Sequence, residues 1–289
     1  THAIMKKWWA HMADVMETLT VTPSGQSCGA RITGIDISQP LSDATIAEIR
    51  KAWLEHHVLA FPGQKLDHDQ FERFAQYFGV FGEDPFFNPL PGREHIAAVR
   101  READDTSPIF AEFWHSDWSF LPRPPIGTML YSIDIPPMGG DTHFSNQHLS
   151  YESMPADLKQ TCDSLTAIHS AAVGYAPGTG VYATKERMGS MDIKPSEDAH
   201  KREKHALVPV HPETGRKGLL SGLSYWAGFE KTEDGTVLSD DDARALGLKL
   251  NDWQSREEFL YVHEWEPDML VLWDRSEEHT SELQSRPHI

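Results

Sequence analysis

Residues 112–125 read EFWHSDWSFLPRPP, a histidine and an aspartate two positions apart, enclosed by aromatic side chains and followed by prolines. On a strand, residues i and i+2 project from one face with Cα atoms about 7 Å apart, so the His115 imidazole and the Asp117 carboxylate can converge on one ion. Trp114, Trp118 and Phe120 would give such a site apolar walls. The same residues also read as a plain His–Asp hydrogen bond at a strand end, and spacing leaves both readings open. With 16 His and 44 acidic residues in 289, chance supplies roughly two His-x-acid pairs, and two occur. The second, His211-Pro212-Glu213, lies in HPETGRKG (211–218), a polar turn with Pro and Gly, and reads as a solvated hairpin tip.

Upstream of this stretch the periodicity is helical. SDATIAEIRKAWLEHH (42–57) opens on a Ser or Asp cap and places Ile46, Ile49, Trp53 and Leu54 at helical spacing. VLAFPG (58–63) is a short buried strand closed by Pro-Gly. DHDQFERFAQYFG (67–79) is a second helix with Phe71, Phe74, Ala75 and Phe78 on one face. Downstream, strands dominate: HIAAVR (95–100), GTMLYSIDIP (127–136), DTHFSN (141–146), a pair within ALVPVHPETGRKGLLSG (206–222), and the end of DWQSREEFLYVHEWEPDMLVLWD (252–274). MPADLKQTCDSL (154–165) interrupts them as a helix. Helices first and short strands after predict a mainly β domain with flanking helices, a β-sandwich or a jelly roll (double-stranded β-helix).

Composition narrows the function classes. A formal net charge of −18 argues against non-specific binding to nucleic acid or to anionic membranes. Cys28 and Cys162 are the only cysteines, which suits a reducing compartment, and no apolar run approaches a membrane span. THAIMKKWWAHM (1–12) lacks the apolar core of a secretory signal. These features predict a cytoplasmic protein with no nucleic-acid or membrane partner; a homo-oligomer stays open.

WHSDWSF with the following Pro-Pro, and then IDIPPMGGDTHFSN (133–146), resembles the TauD/TfdA family of Fe(II)- and 2-oxoglutarate-dependent dioxygenases. GARITGIDISQPL (29–41), HHVLAFPGQ (56–64), HPETGRKGL (211–219) and PDMLVLWD (267–274) extend the resemblance over most of the chain. It implies that His115 and Asp117 bind Fe(II) and that Thr142 of Gly-Gly-Asp-Thr hydrogen-bonds a carboxylate of 2-oxoglutarate. A His₂-carboxylate set leaves adjacent iron positions open for co-substrate and O₂. The implied activity is that of an oxidoreductase hydroxylating a small organic acid, consuming O₂ and releasing succinate and CO₂.

The family's last strands carry W-D-N-R-x-x-x-H, with an arginine beyond that grips 2-oxoglutarate. Counted from Trp273, the third ligand falls on Thr280. His279 is one position early, and a one-residue slip on a strand turns a side chain to the other face. Arg286 is also at the wrong spacing. RSEEHTSELQS (275–285) resembles a translated sequencing adapter, so the expected division is an upstream segment at 1–15, a TauD-like domain at 16–274 lacking its last strands, and an artefactual tail at 275–289. The chain as written is therefore expected to be inactive.

Members acting on taurine place a His, a Tyr and an Asn where this chain has Asp84, Phe87 and Ala111, so a sulfonate-binding set is not evident. Asp84, Phe86, Phe87, Phe113 and Trp118 make a candidate substrate pocket, apolar enough for an aryloxyalkanoate or a similar acid. His143 and His169 fall on expected strands near the site and read as packing residues; His56 and His57 read as helix-end residues favoured by the dipole. His263 reads as a weak alternative third ligand. A second class stays open: a jelly-roll protein that binds metal or ligand without turnover.

Overall fold

VLAF and LVLW are continuous apolar runs because both strands are covered on both faces. The structure is a computed structural model that describes residues 18–274 and the backbone of 280–284. Strand β1 (Thr20–Pro23) pairs with β2 (Ala30–Thr33), and β2 runs parallel to β3 (Val58–Phe61). Strands β4 (Gly127–Tyr131), β5 (Thr142–Asn146), β6 (Leu165–His169), β7 (Glu203–Ala206), β8 (Trp226–Lys231), β9 (Leu260–His263), β10 (Leu270–Asp274) and β11 (Thr280–Gln284) follow. They form a five-stranded sheet in the order β1-β2-β3-β10-β4 and two three-stranded sheets, β11-β5-β9 and β7-β6-β8.

In the large sheet Leu59, Phe61, Leu270 and Leu272 face one way, into a core with Ile49 and Trp53 of helix Asp43–His56 and Phe74 of helix His68–Gln76. Val58, Ala60, Val271 and Trp273 face the other way, against Phe144 of β5 and Tyr261 of β9. That second core is the interior between the two walls of the jelly roll. Both helices begin where the sequence places them: Ser42 accepts the Thr45 N–H, and Asp67 and Gln70 make a reciprocal capping box. A third core packs helix Asp240–Gln254, which the periodicity reading passed over, against Leu165, Ala167 and Phe229 of the β7-β6-β8 sheet.

Several local expectations change. Residues 95–100 form no strand; β7 ends at Ala206, and 207–222 holds a single bridge, Val210 with Lys217, with backbone hydrogen bonds from His211 to Arg216, Gly218 to Pro209 and Leu220 to Leu207 around it. His57 is not a dipole-stabilised helix end: it leaves the helix at φ +64° and is buried, and burial and nearby His148 push its imidazole down to about 3. In the tail, residues 280–284 run antiparallel to β5, with Thr280 opposite Asn146. An open strand edge offers N–H and C=O groups to any extended chain, whatever its side chains. The expected boundaries at 15, His279 and Arg286 lie outside the described residues. Cys28 and Cys162 are free and buried. No described helix is long and apolar enough to cross a membrane.

Candidate metal centre and active site

His115 and Asp117 are brought together, though not on a regular strand. His115 occupies a lone bridge position, and from Asp117 the chain turns, with Trp118 at φ +55°. The ring of His115 is buried, and its Nδ1 lies 2.9 Å from the Phe113 carbonyl oxygen. A carbonyl only accepts, so Nδ1 carries the proton and donates it. Nε2 then faces Asp117 Oδ1 at 2.9 Å. In the neutral ring these are two lone-pair atoms aimed at each other, and either a second ring proton or a shared cation must relieve them. A metal-ligating histidine ordinarily donates its other N–H to a carboxylate, a backbone carbonyl or water, and the Nδ1–H of His115 is directed in the same way. The Thr128 hydroxyl, on β4, donates to Asp117 Oδ2 at 3.3 Å. Among the described residues no group of three His, Cys, Asp or Glu side chains is placed to hold a metal.

Gly222 lies directly behind His115. A Cβ added there would stand 2.8 Å from His115 Cα, so only glycine lets the two backbones approach this closely. Beside the imidazole, the Tyr225 ring meets it edge-on at 5.9 Å. Tyr225 leads into an aromatic cluster with Phe120 and Tyr175, and Phe86 stacks on Tyr175 at 4.6 Å. Phe87 and Trp118 pack against the same cluster.

Phe86, Phe87 and Trp118 thus share one aromatic cluster, which reaches His115 through Tyr225. Asp84 shapes this wall from behind: its Oδ1 accepts the backbone N–H groups of Phe86 and Phe87 at 2.8 and 3.0 Å. Burial raises the Asp84 carboxyl above its ordinary range, against those N–H groups and Lys194, and the Asp117 charge adds to the rise. Phe113 stands apart. Its side chain is 66% exposed, and its contribution is the carbonyl that holds His115.

Thr142 is on β5, in the facing wall, fully buried. Its Oγ1 accepts the Trp265 indole N–H at 3.0 Å, which leaves its own hydroxyl proton free to donate. His263 pairs opposite Thr142 across the ladder, but its Nδ1 is engaged by the Tyr261 hydroxyl at 2.9 Å, so that ring is tied into the core.

The reading of His211 as a solvated tip is corrected. His211 is 1% exposed, and its Nε2–H donates to the buried Asp274 carboxylate at 3.0 Å. Its Nδ1 accepts the N–H groups of Glu213 and Thr214. Glu213 faces outward, paired with Arg50 at 2.6 Å. The turn is polar because it folds around an inward histidine, an arrangement that local composition resembles no differently from an exposed loop.

Gly222, Tyr225, Tyr175 and Thr128 escaped sequence reasoning. They lie 11 to 108 residues beyond Asp117 in the chain, and no periodicity marks them.

A family model described as "Taurine catabolism dioxygenase TauD, TfdA family" matches residues 20–275. An alkylsulfatase of Acinetobacter baylyi is 34% identical over 257 residues, covering 87% of this chain and 76% of that protein. A (S)-phenoxypropionate/alpha-ketoglutarate-dioxygenase of Delftia acidovorans is 30% identical, covering 89% and 87%. The crystal structure of a putative alpha-ketoglutarate-dependent taurine dioxygenase from Burkholderia xenovorans superposes with a TM-score of 0.71 at 28% identity, covering 93% and 86%. The family-model match over residues 20–275, relatives of 30% identity and more covered over most of their length, and a superposable solved jelly roll place this chain in the TauD/TfdA family of 2-oxoglutarate-dependent dioxygenases.

Proposed function

We propose that this site uses Fe(II), 2-oxoglutarate and O₂ to hydroxylate a small organic acid, with succinate and CO₂ as co-products. The observation that carries it is the His115 Nε2–Asp117 Oδ1 approach of 2.9 Å, with the Nδ1 proton already committed to Phe113. A divalent cation fits between a neutral imidazole nitrogen and a carboxylate better than two facing lone pairs fit without one. When bound, the metal with its co-substrate supplies the oxidation: one O₂ oxygen ends in succinate and the other in the substrate. The protein's own residues do the rest. His115 and Asp117 hold the ion; the Thr142 hydroxyl donates to a carboxylate of 2-oxoglutarate, steadied by the Trp265 N–H.

The aromatic wall of Phe86, Phe87 and Trp118, joined by Tyr175 and Tyr225, supports an acid with an aryl or bulky alkyl body. The names of the relatives, a phenoxypropionate dioxygenase and an alkylsulfatase, give two classes to offer first. Full metal binding in this reading needs a histidine at position 280, where the chain has Thr280; residues 275–289 are an artefactual tail, and the chain as written is inactive.

The test is incubation with Fe(II), 2-oxoglutarate and O₂, using a variant with Arg275→Asn, Ser276→Arg and Thr280→His and an arginine-bearing extension. Succinate formation coupled to an aryloxyalkanoate or an alkyl sulfate, and lost in His115→Ala, is the expected result. A variant that takes up iron and 2-oxoglutarate yet forms no succinate with any candidate acid would leave the binding-protein reading in its place.

A further inference from the structure

Two histidines outside the ligand pair converge on one residue of the metal turn. Ser119, two residues after Asp117, is buried; His169 Nδ1 on β6 pairs with its hydroxyl at 3.0 Å, and His205 Nε2 on β7 with its carbonyl oxygen at 2.9 Å. We propose that His169 and His205 are positioning residues for the metal ligands, clamping Ser119 and so fixing where the turn carries the Asp117 carboxylate. This rests on the reading of His115 and Asp117 as ligands.

The turn needs outside support. Within it, Ser119 N–H reaches the Ser116 carbonyl at 3.3 Å and Leu121 N–H reaches that of Trp118 at 2.8 Å. Between them Trp118 holds a left-handed backbone conformation that a bulky residue adopts only when its surroundings impose it. β6 and β7 are paired neighbours, with Ala167 opposite His205 and Glu203 opposite His169, so the two rings come from a single rigid ladder. They stand edge to face at 5.9 Å and hold Ser119 by side chain and backbone at once.

On the other side of the turn, the Thr128 hydroxyl holds Asp117 Oδ2. The turn that carries the carboxylate is thus held by β4 at Asp117 and by the β6–β7 ladder at Ser119. A carbonyl accepts only, so His205 donates; the hydroxyl of Ser119 can serve His169 in either sense. A partner bonded to the ligand itself, as Thr128 is, is worth about 10- to 100-fold in metal affinity, and His169 and His205, acting through Ser119, fall at the low end of that range.

The experiment titrates the full chain with Mn²⁺ to millimolar, reading free ion by electron paramagnetic resonance and recording a thermal melt for each protein. His169→Ala and His205→Ala are expected to bind about tenfold more weakly than wild type. His169→Asn places an amide where Nδ1 was and His205→Gln places one where Nε2 was, so both are expected to return affinity to within about threefold of wild type, since each keeps the clamping hydrogen bond. Ser119→Ala, a smaller change, reports on the hydroxyl arm if His169→Ala fails to fold. Ile32→Ala, on β2 in the core under helices Asp43–His56 and His68–Gln76, lowers melting temperature without moving Mn²⁺ affinity. Wild-type affinity in His169→Ala and His205→Ala, or a loss that Ile32→Ala reproduces at equal destabilisation, overturns the clamp and leaves the metal site standing. A wild-type chain whose Mn²⁺ uptake is absent or is unchanged by His115→Ala removes the metal site and the clamp together.

Discussion

Gly222→Ala is a substitution of one methyl group that should be felt at the metal. The added Cβ would lie 2.8 Å from His115 Cα, 3.2 Å from the Trp114 carbonyl oxygen and 3.3 Å from the His115 carbonyl carbon, where ordinary contact begins at 3.4 Å. All three are backbone atoms, so no side chain can swing aside. Moving from 2.8 to 3.4 Å means that the His115 backbone retreats by about 0.6 Å, more than the ~0.5 Å within which a ligand constellation holds its geometry. Overpacking of this kind costs about 1–3 kcal/mol, and in a domain of this size each kcal/mol lowers the melting temperature by about 2–4 °C. Mn²⁺ affinity should fall about tenfold or more.

A matched control is Gly92→Ala, where φ is +77° and nothing lies within 4 Å of the new methyl group. It strains the backbone and lowers stability by about 1 kcal/mol but sits away from the ligands, so metal affinity should not change. Thermal melts and Mn²⁺ titrations of the three proteins decide it. If Gly222→Ala binds Mn²⁺ as wild type does, the close approach of the two backbones does not set the position of His115 and the reasoning fails.

Thr142→Val keeps the shape and removes the hydroxyl, leaving the Trp265 N–H without its acceptor; about 1–3 kcal/mol of stability should go, and in the extended variant with Arg275→Asn, Ser276→Arg and Thr280→His the KM for 2-oxoglutarate should rise while Thr142→Ser restores both. Thr280→His alone should tighten Mn²⁺ binding relative to the chain as written, whereas Glu278→His should not, since it stands two positions off the family spacing. Acid should unfold the protein early. His57 and His169 are pushed down to about 3, and His148 and His263 to about 4, chiefly by burial, so the folded state keeps them neutral. The unfolded chain takes up those protons near pH 6.5, so stability is intact above that pH and is lost as pH falls from 6.5 towards 4. Each histidine costs about 1.4 kcal/mol per pH unit in that window, and urea midpoints measured from pH 7 to pH 4 should fall steeply. A flat profile would mean that these rings are accessible to protons in the folded state.

Several features were legible in the chain alone because their cause is local. VLAF and LVLW announce strands covered on both faces, since four apolar residues in succession cannot all face one core. Ser42 and Asp67 mark helix starts because a side-chain oxygen two or three residues ahead of unpaired N–H groups caps them wherever they occur. His115 and Asp117, two residues apart, can converge wherever the backbone between them is extended. Their chemistry as a pair was therefore readable, as was the family that uses it.

What the chain could not show is which distant groups complete and hold that pair. His211 reads as a loop residue until Asp274, 63 residues later, is folded against it. The turn at Trp118 reads as a strand until the β6–β7 ladder brings His169 and His205 onto Ser119. Gly222 is one glycine among 20 until its backbone is laid against His115. Spacing along a chain determines which side chains share a face over a few residues. The approach of separate segments is decided by packing of whole sheets, to tenths of an ångström, and that is the scale on which a metal ligand is placed.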